Sequence, residues 1–249
     1  MTTVAWVTHH VPREIAGRWA LPGAVGGAEM TDAAMIDRRP PGVAIDIVTP
    51  DQWERAMDAD RVIVTGTDHL SGEAMTRLAE RQPLVWVHHA QVRTTERAHL
   101  LVAATPLVCM SSMHAALEAS WTGAQPLVCH GWIDLDEVPV GTEQRPDAAL
   151  WAARNHPQKG RIGARIWASK QGVPLTEITD APRTDVLDAM SRHRWFVFLP
   201  KGVDACPRTL IEAEAAGCEI VTNDLAGRRE EGDLREVMAA QPDRFWGWL

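Results

Sequence analysis

The 249-residue chain has no tyrosine and only three phenylalanines, against eleven tryptophans. Aromatic bulk for a core therefore rests on tryptophan, and those at strand positions (Trp6, Trp86, Trp195) are expected inside. Long apolar runs are missing as well. Segments such as Pro106–Met110 and Trp195–Pro200 fall far short of the roughly 20 residues that span a bilayer, so no transmembrane segment is expected. The start of the chain, Met1–Trp6, lacks a basic region followed by an apolar core, so no signal peptide is evident. The four cysteines (Cys109, Cys129, Cys206, Cys218) form no C-x2-C pair and have no histidine at metal-ligand spacing. Reduced, half-buried thiols, no bound metal and a cytoplasmic location are the expectation. Basic charge is not in excess: a formal net charge of −8 argues against a surface that coats nucleic acid, while leaving room for a local basic pocket. No internal repeat or low-complexity tract is present. With 45% apolar and 23% charged residues, the composition is that of an ordinary globular protein.

What is there is an alternation of short apolar strands with helix-like segments. Strands are expected at Val4–Thr8, Val43–Val48, Val62–Thr65, Leu84–Val87, Leu107–Met110 and Leu127–His130. Helices are expected near Ala28–Ile36, Trp53–Asp58, Gly72–Glu80, Glu96–Ala104 and Met113–Ser120. Strands joined by helical crossovers imply a parallel sheet covered on both faces. The polar stretch Gly141–Asp147 reads as a linker, dividing the chain into domains 1–142 and 143–249. Beyond it the pattern restarts with strands Leu150–Ala153, Leu175–Ile178, Trp195–Leu199 and Glu219–Thr222 and helices Gly160–Lys170, Thr184–Ser191 and Arg208–Ala216. A last helix, Asp233–Ala240, is expected to stop before Pro242. The fold class is α/β, with two Rossmann-like domains facing each other across a cleft.

The segment Lys201–Gly217 carries the most chemistry. Asp204 and Glu212 have seven residues between them. A helix beginning near Pro207 and ending at Gly217 leaves Asp204 in the preceding loop and puts Glu212 inside the helix. Both acids then lie at the end of a sheet, where open α/β proteins bind ligands. Directly after the strand Leu150–Ala153 comes Arg154-Asn155-His156-Pro157-Gln158-Lys159-Gly160. Taken alone this is a solvated basic loop. Together with the acidic pair downstream it reads as two cations ahead of a helix start, a place that favours phosphate. The Gly-rich stretch Gly23–Glu29, with Gly26 and Gly27, lets backbone approach a ligand closely, although flexible turns look the same. It is not a G-x-G-x-x-G fingerprint after the first strand, so NAD is not favoured. Glu29 also suits the first turn of a helix as such. His88 and His89 follow the strand that contains Trp86, either as site residues or as partners of buried polar groups.

The pair Asp204/Glu212 resembles the E-x7-E region of the retaining GT-B glycosyltransferases (group 1, family 4-like), in a compact version, with Asp in place of the first Glu. Arg154, Lys159 and Gly160 resemble that family's "GR…KG" loop, Ala153 replacing its glycine, and Gly26-Gly27-Ala28-Glu29 resembles its "GG-x-E" loop. Weaker matches are His130–Asp134 to "NGVD", Asn223–Glu230 to "D-x-x-G-x-x-E", and Ser111 or Ser112 to a strand-end serine. The resemblance implies a GT-B fold and transfer of a sugar from a nucleoside-diphosphate sugar, with retention and without a cofactor or metal. It implies that Glu212 holds the ribose and Asp204 the sugar, and that Arg154 and Lys159 stabilise the departing diphosphate. Gly26 and Gly27 would shape the phosphate and acceptor floor, Gly227 would offer its N–H to phosphate, and His89, with His88 as competitor, would lie beside the reacting centre. A catalytically degenerate nucleotide-sugar-binding protein and a GT-B-like sugar-nucleotide epimerase are the alternatives. The acceptor (sugar, polysaccharide, protein or modified nucleobase), the donor's base and sugar, and the oligomeric state are not legible.

Overall fold

The computed structural model of the chain describes residues 1–9, 12–15, 18–20, 27–88, 94–142 and 145–249, with backbone alone for 13–15, 18–20 and 27. In chain order the elements are β1 (Thr2–Val7), β2 (Arg13–Ile15), β3 (Arg18–Ala20), α1 (Gly27–Asp37), β4 (Val43–Val48), β5 (Arg61–Val64), α2 (Gly72–Ala79), β6 (Leu84–Val87), α3 (Thr95–Ala103), β7 (Leu107–Cys109), α4 (Ser112–Thr122) and β8 (Leu127–Val128). They continue with β9 (Ala149–Ala153), α5 (Arg161–Gln171), β10 (Leu175–Thr179), α6 (Arg183–Arg192), β11 (Trp195–Phe198), α7 (Arg208–Ala215), β12 (Glu219–Thr222) and α8 (Leu234–Trp246). Instead of the α-helix expected at Trp53–Asp58, Pro50–Asp58 forms a 3-10 segment kinked at Gln52. Two compact units result: residues 1–132 with 230–249, and Ile133–Arg229.

In the first unit a six-stranded sheet has the order β4-β1-β5-β6-β7-β8, every pairing parallel. β2 and β3 form a separate antiparallel hairpin. Because side chains alternate across a strand, the sheet is apolar on both faces. Val7, Val62, Val64, Val85 and Val87 pack with Ala74, Leu78, Leu100 and Leu101 of α2 and α3. Trp6 and Trp86 are fully buried and meet Phe245 of α8, at centroid distances of 5.7 and 4.6 Å. Helices α2, α3, α4 and α8 start on side-chain caps: Ser71, Thr94, Ser111 and Asp233 each accept from the backbone N–H three residues on, as orphan N–H groups require.

In the second unit a four-stranded parallel sheet has the order β10-β9-β11-β12. Leu150, Ala152, Phe196 and Phe198 face the α6 and α7 side with Leu187, Met190, Leu210 and Ala213. Ala149, Trp151 and Val197 face the other way, with Ala164 and Trp167 of α5. Trp195, expected in the core, is half-buried: its indole N–H donates to Glu219 (3.1 Å) and its ring packs edge-on against Trp167.

Three expectations are corrected here. The division falls after Trp132, not after residue 142. The polar stretch expected as linker is fastened within the second unit: Arg145 donates from Nη1 to His193 O at 3.1 Å and from Nη2 to Ala216 O, and Gly141 N donates to Ala216 O at 3.1 Å. A cation there satisfies helix-end carbonyls, which polar composition alone does not announce. The final helix runs through Pro242 to Trp246 and belongs to the first unit. Burial of Phe245 and Trp246 against Trp6, with the Trp246 indole N–H donating to Met35 O at 3.1 Å, outweighs the roughly 3 kcal/mol cost of an internal proline. Trp246→Ala is expected to destabilise the first unit by about 3–5 kcal/mol, read as a lowered urea midpoint for its transition.

Candidate functional site

Both sheets reverse strand order once. In the second unit β9 is followed by β10 on one side and β11 on the other, and this switch point is where open α/β sheets bind ligands, outside the carboxyl ends of the strands. β9 and β11 are paired only over Ala149–Leu150 and Trp195–Phe196, so their carboxyl ends diverge. The loop after β9 carries Lys159 and the loop after β11 carries Asp204. The two meet there, Lys159 Nζ lying 2.5 Å from Asp204 Oδ2. Lys159 stands in a 3-10 turn, Pro157–Lys159, capped by His156. The Trp151 indole N–H donates to its carbonyl at 3.0 Å. Gly160 closes the turn at φ +79°, where an added Cβ would lie 2.0 Å from Leu199 O. Only glycine permits that conformation and approach.

Glu212 lies inside α7, as expected, and is only 4% exposed. Its Oε1 accepts from Arg183 Nε at 2.9 Å and lies 3.9 Å from Arg208 Nη2. Arg183 Nη1 also donates to Glu137 Oε2 at 2.6 Å. Burial works against the charge of Arg183, but Glu212 and Glu137 more than offset it and raise its pKa. Burial lowers the pKa of Arg208, partly opposed by Glu212. The sequence reading missed both arginines. The signal was available: α5, α6 and α7 each begin with an arginine, Arg161, Arg183 and Arg208, a charge the helix dipole disfavours at that end. Each has a carboxylate partner; Arg161 holds Glu177 at 2.7 Å. Hydrogen bonding from Arg165, joined by Arg161, brings Glu177 down to about 2.

The structure thus brings Lys159 and Asp204 together, with Glu212 on the helix that follows Asp204. Arg154 stands exposed at the start of the Lys159 loop. Gly227 N–H donates to Asp204 O at 2.7 Å, and Asp204 N donates to Leu225 O at 2.8 Å. These bonds tie the β12 loop to Asp204. Asn223 Nδ2 donates to Pro200 O at 2.9 Å and its Oδ1 accepts from Leu225 N at 3.2 Å. Among the described residues no group of three or more His, Cys, Asp or Glu is placed to hold a metal ion.

In the first unit the switch point lies between β1 and β5. Gly26 and His89 lie outside the described residues; Gly27 is the first residue of α1. At this point stands a carboxylate the sequence reading did not select. Asp32 of α1 is 1% exposed. Its Oδ2 accepts from Thr8 Oγ1 at 3.1 Å and from Thr65 Oγ1 at 2.8 Å, hydroxyls just beyond β1 and β5. Its Oδ1 lies 3.3 Å from Nε2 of His88, just beyond β6. Burial pushes Asp32 up to about 7, the two hydroxyls opposing it. Ser111, not Ser112, caps α4, accepting from His114 N at 3.2 Å. His130 accepts from Glu230 N at Nε2 (2.9 Å), with its Nδ1 2.7 Å from Met110 O.

No protein-family model matches the chain, and no curated protein matches it in sequence. Solved structures match its fold over nearly the whole length. Sucrose-phosphate synthase from Thermosynechococcus elongatus superposes with a TM-score of 0.65 at 12% identity, covering 100% of this chain and 91% of its own. AviGT4, a glycosyltransferase involved in avilamycin A biosynthesis, gives 0.59 at 16% identity, covering 100% and 88%. HepE from Anabaena, in complex with UDP and glucose, gives 0.55 at 12% identity, covering 98% and 90%. The chain has the α/β fold of the GT-B glycosyltransferases.

Two outcomes follow from this geometry. Arg183→Met removes the close partner of a buried carboxylate and is expected to destabilise the second unit by about 1–3 kcal/mol, measured by urea denaturation. Asp32 binds its proton more tightly folded (about 7) than at its ordinary value of 3.8. Its contribution to stability is therefore complete below about pH 4 and is lost as pH rises towards 7. Denaturation midpoints at pH 5 and pH 7.5 are expected to differ less in Asp32→Asn than in the wild type.

Proposed function

We propose that the protein is a glycosyltransferase that takes a sugar from a nucleoside-diphosphate sugar, the donor held at the carboxyl edge of the second unit's sheet. The observation that carries this reading is the Lys159–Asp204 pair across the β9/β11 switch point, with Glu212 on the helix behind it. A sugar nucleotide offers matching chemistry: two phosphates for cations and a run of hydroxyls for carboxylates. The fold neighbours support it; HepE is described in complex with UDP-glucose.

In this reading the diphosphate draws Lys159 from Asp204. The freed carboxylate accepts hydroxyls of the transferred sugar, while Lys159 and Arg154 meet the charge that builds on the leaving diphosphate. These fixed cations would supply that stabilisation without a metal. Glu212 takes the ribose hydroxyls through Oε2, since both arginine contacts fall on Oε1. Retention of anomeric configuration and a cytoplasmic setting are parts of the reading implied by the family resemblance. The same site without turnover would make the protein a nucleotide-sugar-binding module.

The test is a thermal-shift screen against UDP, GDP, ADP and their sugars. A ligand at about 100 times its Kd adds about 2.7 kcal/mol to stability, and one nucleotide series is expected to raise the Tm. Lys159→Ala is expected to lower turnover of that donor at least tenfold, because a charge-assisted contact to a leaving group is worth about 2–4 kcal/mol. Near-normal turnover would remove Lys159 from the mechanism. No shift with any nucleotide would remove the donor site.

A further inference from the structure

One run departs from the acidic balance of the chain. Between Asp147 and Glu177 there is no acidic residue, yet Arg154, Lys159, Arg161, Arg165 and Lys170 all stand there, in a protein of formal net charge −8. The run forms β9, the loop after it and α5. Ala164 and Ala168 are buried and mark the inner side of α5. At 3.6 residues per turn, Ile162 and Ile166 fall on the opposite side, where they are 56% and 51% exposed. Arg165 and Lys170 flank the two isoleucines, one on each side, and both are exposed.

Carboxylates from outside the run meet it away from that outward stripe. Glu177 of β10, its side chain 17% exposed, accepts from Arg161 Nη2 at 2.7 Å and from Arg165 Nη2 at 2.8 Å. Asp204 holds Lys159 at the sheet edge, and Asp180 accepts from Asn155 N at 3.2 Å. The stripe itself is aliphatic, with cations on both flanks. That pattern suits a helix lying in the headgroup layer of an anionic bilayer, its apolar side chains turned to the acyl boundary and its basic ones reaching lipid phosphates. Nucleic acid would leave the isoleucines unused, since phosphates take only the cations and base stacking calls for aromatic side chains. A second copy placed on this face by a two-fold axis would set basic flank against basic flank.

We propose that the outward face of α5 docks the protein on an anionic lipid bilayer. Ile162 and Ile166 enter the acyl boundary, while Arg165 and Lys170 pair with lipid phosphates beside them. The turn that carries Lys159 runs directly into α5 through Gly160, so docking brings that loop to the headgroups together with the start of the helix. Docking of this kind depends on α5 alone and holds whether or not the donor site turns over a sugar nucleotide.

The test is co-sedimentation of the full chain with vesicles, one set of phosphatidylcholine and one of equal parts phosphatidylcholine and phosphatidylglycerol. Binding to the mixed vesicles is expected to exceed binding to phosphatidylcholine by about tenfold or more, and to weaken as salt rises from about 0.1 M to about 0.5 M. Arg165→Gln combined with Lys170→Gln is expected to weaken it about 25-fold, at about fivefold per surface cation. Ile162→Ser combined with Ile166→Ser is expected to weaken it about tenfold or more. All four side chains are exposed, so both double variants are expected to keep the wild-type urea midpoint. No binding to the mixed vesicles, equal binding to the two vesicle sets, or wild-type binding in either double variant overturns the proposal. Capture of a DNA oligonucleotide through Arg165 and Lys170, without vesicle binding, assigns the cations to nucleic acid and overturns it. Self-association in light scattering that the isoleucine changes abolish, again without vesicle binding, assigns the face to a second copy and overturns it too.

Discussion

Parallel strands cannot be joined by tight turns, so every crossover returns to the opposite end of the sheet and every loop that leaves a strand begins at the same edge. Where strand order reverses, neighbouring loops depart in opposite directions and the edge opens. The chemistry described here depends on that constraint. In the second unit it puts Lys159 and Asp204, remote in sequence, 2.5 Å apart across the diverging ends of β9 and β11. In the first it gathers Thr8, Thr65 and His88 around the Asp32 carboxylate. Two sheets of different size arrive at the same solution by the same geometric rule.

Several charges in the second unit are held in pairs and chains. Glu137, Arg183, Glu212 and Arg208 form one chain, and Glu177 with Arg161 and Arg165 forms another. Three helices begin on arginine, against the preference of their own dipoles. The unfavourable placement is offset by a carboxylate at each, which keeps cations at the sheet edge without stranding buried charge. An arriving diphosphate would exchange one anionic partner for another, so Lys159 need not be desolvated afresh.

Much of the fold was legible because short apolar strands and capped helices obey local rules. Val43–Val48, Leu84–Val87 and Glu219–Thr222 have the bounds expected of them. The failures share a cause. Pro242 reads as a stop, yet the burial of Phe245 and Trp246 carries α8 past it. The stretch around Arg145 reads as a linker because it is polar, yet its guanidinium fastens two helix ends. In the site, spacing within two short segments, Arg154–Gly160 and Lys201–Gly217, exposed Lys159, Asp204 and Glu212. Arg183 and Asp32 escaped because their partners come from other parts of the chain, Glu137 and Glu212 for the one and the strand-end Thr8 and Thr65 for the other, and Arg208 because its pairing with Glu212 within α7 looks like any helical ion pair. The bond from Gly227 N–H to Asp204 O is likewise a pairing across the sheet edge that no local pattern reveals.

The central claim is that the carboxyl edge of the four-stranded sheet grips a sugar nucleotide through Lys159 and the acids beside it. Hydrogen exchange of the full chain with and without UDP-glucose tests it most directly. The account predicts slowed exchange confined within the second unit to the loops after β9 and β11, residues 154–160 and 199–208, and to the start of α7. Slowed exchange elsewhere with these loops unchanged, or no change anywhere at saturating ligand, would contradict it.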